Sequence, residues 1–72
     1  HTVILSPDSY AVGKSMDIIN LEKINTTILA VRRGRDRLDS FDKSFQFEIG
    51  DAVVIEGIQS AVLNAEKYLL RG

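Results

Sequence analysis

The chain has 72 residues, no cysteine, one histidine, and nine basic against ten acidic side chains for a formal net charge of −1. Disulfides and thiolate metal sites are therefore excluded, and a lone histidine at position 1 rules out a zinc site built from several imidazoles. The charge balance argues against a broad basic surface for nucleic acid, and no apolar run approaches the ~20 residues that span a bilayer. A domain this short buries only about 60% of the surface its unfolded chain exposes. Association with a second copy is the support that remains, so a homodimer is expected.

In chain order, Val3-Ile4-Leu5 is a short β-prone run closed by the turn cluster Ser6-Pro7-Asp8-Ser9. Ser15 has the chemistry of a helix N-cap, which predicts a short helix with Asp17 and Ile18 in its first turn, fading between Asn20 and Glu22. Thr26 to Arg32 is the strongest strand signal, and its near-continuous apolar character predicts cover on both faces. Arg37-Leu38-Asp39 is expected to pair back across the Arg33-Gly34-Arg35-Asp36 turn. Phe41, Phe45 and Phe47 are the apolar anchors of the next stretch, and Phe45, Phe47 and Ile49 alternate with polar residues as an extended segment does. Gly50-Asp51 makes a turn, Ala52 to Glu56 a second strong strand, and Ile58 to Leu70 a helix. Ala61, Val62, Ala65 and Leu69 form its apolar stripe, and Gly72 can close it. The predicted fold class is α+β: a small β-α-β-β-β-α domain with a mixed or antiparallel sheet and helices on one face.

Few residues offer chemistry. Gly13-Lys14-Ser15 invites a phosphate-loop reading, but Asp8 stands where that loop needs its first glycine. The simpler account is a glycine turn followed by a helix cap. Six serines are present, but no internal histidine can activate one, so no enzymatic activity is expected. The carboxylates are scattered without calcium-loop spacing. One concentration of charge stands out: four of the nine basic residues lie within Arg32-Arg33-Gly34-Arg35-Asp36-Arg37. Guanidinium forks suit phosphates and carboxylates, so this cluster is an anion site, a partner contact or a solvated hairpin tip.

Three stretches together resemble the C-terminal RCK (TrkA-C) domains of bacterial ion-transport systems. They are Tyr10-Ala11-Val12-Gly13-Lys14-Ser15-Met16 with Ile18-Ile19-Asn20-Leu21, Thr27-Ile28-Leu29-Ala30-Val31-Arg32-Arg33-Gly34, and Phe47-Glu48-Ile49-Gly50-Asp51-Ala52-Val53-Val54-Ile55-Glu56-Gly57. The likeness covers nearly the whole chain. One departure is the loop Asp39-Ser40-Phe41-Asp42-Lys43, which lacks the Asn-Pro pair often found there.

The resemblance implies that residues 1–72 are one RCK C-terminal domain, dimeric and part of a larger transporter or transport regulator. Its expected function is cytoplasmic regulation and dimerisation of a potassium channel, uptake system or cation/proton antiporter. In that setting the partner is a transmembrane transport domain, and the domain itself neither inserts in the membrane nor binds nucleic acid. No cofactor is expected; the regulatory ligand implied by some family members is cyclic di-AMP, in others a metal ion. The candidate ligand residues at a dimer-interface groove are Ile28, Arg32, Arg33 and Arg35, the arginines for phosphates and Ile28 for the bases. The alternatives are a purely structural dimerisation module and an accessory domain of a transcription regulator.

Overall fold

The computed structural model describes all residues from His1 to Gly72. Four strands form one sheet: β1 (Thr2–Ile4), β2 (Thr27–Arg33), β3 (Asp36–Leu38) and β4 (Ala52–Glu56). A 3-10 helix spans Leu21–Ile24, and the single α-helix, α1, spans Gln59–Arg71. The strand order is β1-β4-β2-β3, and every neighbouring pair is antiparallel, so of the two sheet types predicted the antiparallel one forms.

The two central strands are the longest, seven and five residues, and each carries three β-branched side chains. Between them the register shifts at Ile28/Ala30, so Leu29 is an extra residue on β2, a β-bulge. The β2–β3 hairpin closes through the pair Arg33↔Asp36, leaving a two-residue turn of Gly34 and Arg35. Gly34 has φ 62, the left-handed conformation that such tight turns demand and that favours glycine.

Side chains alternate between the faces of a sheet. Val3, Val31, Val53 and Ile55 occupy one face and pack against Val62, Ala65 and Leu69 of α1. Leu5, Ala11, Ile19, Leu21 and Phe47 complete this core from the connecting segments. Thus the stripe predicted for α1 is the buried one, Ala61, Val62, Ala65 and Leu69. The last carbonyls of the helix are satisfied from outside it: the Tyr10 and Ala11 N–H groups donate to the Leu70 and Leu69 oxygens at 3.0 and 2.9 Å. The Gly72 N–H donates to the Tyr68 oxygen at 2.9 Å, with Gly72 at φ 87.

One expected element is absent. The helix predicted from Ser15 does not form; a single turn closes where the Ile19 N–H donates to the Ser15 oxygen, and regular structure resumes only in the short 3-10 helix. The reason is that Ile19 and Leu21, two residues apart, are both buried. A helix would turn them to different sides, so Asn20 instead adopts a non-helical φ of −95 and ψ of 88. Phe45 to Ile49, expected as a strand or an extended loop, is the loop. It makes one isolated bridge, Ser15↔Gln46, flanked by the Met16 N–H to Phe45 oxygen bond at 2.7 Å. Phe47 enters the core, whereas Ile49 is 59% exposed.

Phe47 also meets Phe45 edge-on at 5.6 Å, and Phe45 meets Phe41 at 4.9 Å. Replacing a buried phenylalanine by alanine typically costs ~3–5 kcal/mol. Phe47→Ala is therefore expected to lower the urea midpoint far more than Ile49→Ala, whose cost should stay within about 0.5 kcal/mol.

Candidate ligand and docking face

The sheet face turned away from α1 is set by the strand register. Across its first row stand Ile4, Ala52, Arg32 and Arg37, one from each strand. Thr2, Val54 and Ala30 form the next row, and Glu56 and Thr27 the last. Ile4 is 62% exposed, Ala52 and Val54 are half-buried, and Ala30 is buried beneath its neighbours. The result is a mainly apolar centre with two guanidinium groups at one end. Cover on both faces of β2, as its apolar run predicted, does not come from a second layer of helices or strands within the chain.

Arg32 and Arg37 are directly opposite each other in the hairpin, and both are exposed. Like charges in that position repel. No carboxylate comes within 4.0 Å of Arg32, Arg37 or the turn residue Arg35. These three guanidinium groups are free to meet an anion from outside the chain.

Arg33 is different, although it sits between them in sequence. Its Nε donates to Asp51 Oδ1 at 2.9 Å and its Nη2 to Asp51 Oδ2 at 2.8 Å. Nη2 also donates to the Gln46 carbonyl at 3.0 Å, and Nη1 lies 3.0 Å from Glu48 Oε2. The guanidinium carbon stands 5.1 Å from the centre of the Phe45 ring. Asp51 is wholly buried and takes a third hydrogen bond from the Glu48 N–H at 2.9 Å. The hydrogen bond from Asp51 is the main force holding the Arg33 guanidinium above its ordinary pKa, against the opposing pull of burial. It stays charged throughout the physiological range.

Ile28 stands apart from the arginines. It is half-buried and lines a recess of about 220 Å³ together with Met16, Ile19, Leu21 and Phe41, with Asn20, Glu22, Thr26 and Thr27 among its walls. Of the four predicted ligand residues, the structure sets Arg32 on the outer face and Arg35 at the hairpin tip. Arg33 is turned into an internal ion pair, and Ile28 lines a separate recess. Arg37 completes the exposed group. Its place opposite Arg32 follows from a two-residue turn, a signal already present in the sequence. Asp51 lies 18 residues from Arg33, and nothing local could have paired them.

With this geometry in view, the family model described as the TrkA-C domain matches residues 1–70. The chain belongs to the TrkA-C domain family. No curated protein matches the chain. Among solved structures, the RCK_C domain dimer of S. agalactiae BusR in complex with c-di-AMP has a TM-score of 0.81 and 23% identity, covering 96% of this chain and 92% of that one. S. agalactiae BusR in complex with its busAB-promotor DNA has a TM-score of 0.82 and 24% identity, over 96% of this chain. A second BusR complex, with busA-promotor DNA, has a TM-score of 0.76 and 24% identity over the same 96%. This TrkA-C chain spans about a third of those DNA-bound BusR chains, 34% and 35%. At such identity the likeness establishes a shared fold.

Breaking a buried ion pair by deleting one partner costs about 3–5 kcal/mol, because the remaining charge is left uncompensated. The Arg33 side chain is 32% exposed and Asp51 keeps the Glu48 N–H, so Arg33→Ala is expected to lose less than that, about 1–3 kcal/mol in urea unfolding. Arg35→Ala, at an exposed site, should change stability by no more than about 0.5 kcal/mol.

Proposed function

We propose that this TrkA-C domain is a non-catalytic regulatory module that pairs with a second copy through its outer sheet face. The pair binds a small dianionic nucleotide, of the cyclic di-AMP class, at the shared seam. The single observation that carries the reading is the unpaired Arg32–Arg37 couple on the edge of that face. An anion between the two groups removes their repulsion and gains charge-assisted hydrogen bonds. A ligand with two symmetry-related phosphates suits a seam between two identical faces, where the arginine couple occurs twice. The BusR domain dimer bound to c-di-AMP supports both the pairing and the ligand class. Arg35, at the hairpin tip, adds to the positive field.

Such a seam has two relative arrangements, and a ligand shifts their populations by its difference in affinity for each. In a transport protein the shift would pull or release a membrane domain from the cytoplasmic side. No helix of this chain is long and apolar enough to cross a membrane. A second reading, the sensing domain of a transcription regulator, is favoured by the BusR complexes with promoter DNA. In that reading the DNA contacts would lie outside this domain, in keeping with its net charge of −1.

Isothermal titration with cyclic di-AMP tests the ligand reading. The expected result is one nucleotide per two chains, with Arg32→Ala weakening binding about tenfold or more, as loss of a hydrogen bond to a charged group does. Absence of heat, or an unchanged affinity in that variant, would remove the proposal. Sedimentation tests the seam separately: Val54→Asp should yield a folded monomer where the unmodified chain is a dimer. A dimer that survives this substitution places the seam elsewhere.

A further inference from the structure

The β2–β3 hairpin is three residue pairs long, and one of those pairs sets Arg32 against Arg37. An isolated hairpin is marginal in water even without such repulsion. The closing pair of the hairpin contains Arg33, whose side chain leaves the sheet on the opposite side from Arg32. There it grips Asp51, the Gln46 carbonyl and Glu48, four polar contacts of 3.0 Å or less in all. Asp51 directly precedes β4, and its carboxylate is also held by the Glu48 N–H. The Arg33 backbone is thus fastened to the central strand's own entry turn.

From this we infer that Arg33 is a positioning residue of the docking face. Its clip on Asp51, Gln46 and Glu48 pins the hairpin end of β2 and so holds Arg32 and Arg37 outward at a fixed separation. Arg33 itself touches no ligand. The inference rests on the ligand reading above only for its effect on binding; the placement of the hairpin is independent of it.

A lysine at position 33 keeps the charge but loses the planar fork that reaches two oxygens of Asp51 at once. Two measurements on Arg33→Lys decide the matter. The first is amide hydrogen exchange without ligand. Exchange at Asp36 and Leu38, the β3 residues whose N–H groups face β2, should rise at least tenfold relative to Val53 and Ile55, while a uniform change across all strands, or none, would overturn the positioning role. The second is a double-mutant cycle on cyclic di-AMP affinity. Arg33→Lys should weaken binding several-fold in the unmodified chain and have a clearly smaller effect in the Arg32→Ala background, because part of its action runs through Arg32. Equal losses in both backgrounds would show a merely global effect and overturn the coupling. If the unmodified chain binds no nucleotide, the ligand reading falls with its coupling, and the exchange result still decides the placement. Should Arg33→Lys fail to fold, Glu48→Ala removes one exposed arm of the clip and is expected to raise hairpin exchange selectively, by a smaller factor.

Discussion

A carboxylate closed off from water is costly to ionise unless donors surround it, and Asp51 is met by the Arg33 fork and the Glu48 N–H. That requirement organises much of the domain. Satisfying Asp51 brings the end of β2, the turn at Gly50 and the stretch from Phe45 to Glu48 to one place. Phe45 then lies under the guanidinium, and its neighbour Phe47 enters the core. One ion pair therefore links the apolar interior on one side of the sheet to the charged hairpin on the other.

The core is complete on the α1 side only. In so small a domain a single filled face leaves little stability in reserve. The opposite face has apolar residues at its centre but no second layer of secondary structure, with free positive charge at one end. On the proposed reading, sensing needs no cleft within the chain, because the sensitive place is created when two such faces meet.

How much of this was legible in the sequence depended on whether the deciding contact was local. Ala52–Glu56 was readable because Gly50-Asp51 and Gly57 bracket a run of apolar and β-branched residues. The α1 stripe was readable from its helical spacing, and the hairpin from Gly34. The Ser15 helix was misleading, because a favourable cap was outweighed by the core's demand for both Ile19 and Leu21. The candidate site was only half legible. The arginine cluster was visible as a concentration of guanidinium groups, open between an anion site, a partner contact and a solvated tip, but nothing local distinguished Arg33 from Arg32. The partner that does so stands 18 residues downstream.

The bulge at Leu29 carries a consequence for that distinction. Strand residues follow an odd–even parity, and one unpaired residue resets it. If β2 ran regularly from Ile28, Val31 would face outward, Arg32 would be driven toward the core, and Arg33 would take the outer position. By absorbing one residue, the bulge lets Ile28 and Val31 share the interior side and assigns the two successive arginines opposite tasks. It also explains why Ile28-Leu29-Ala30-Val31 reads as an unbroken apolar run: the alternation is intact, but it skips a beat.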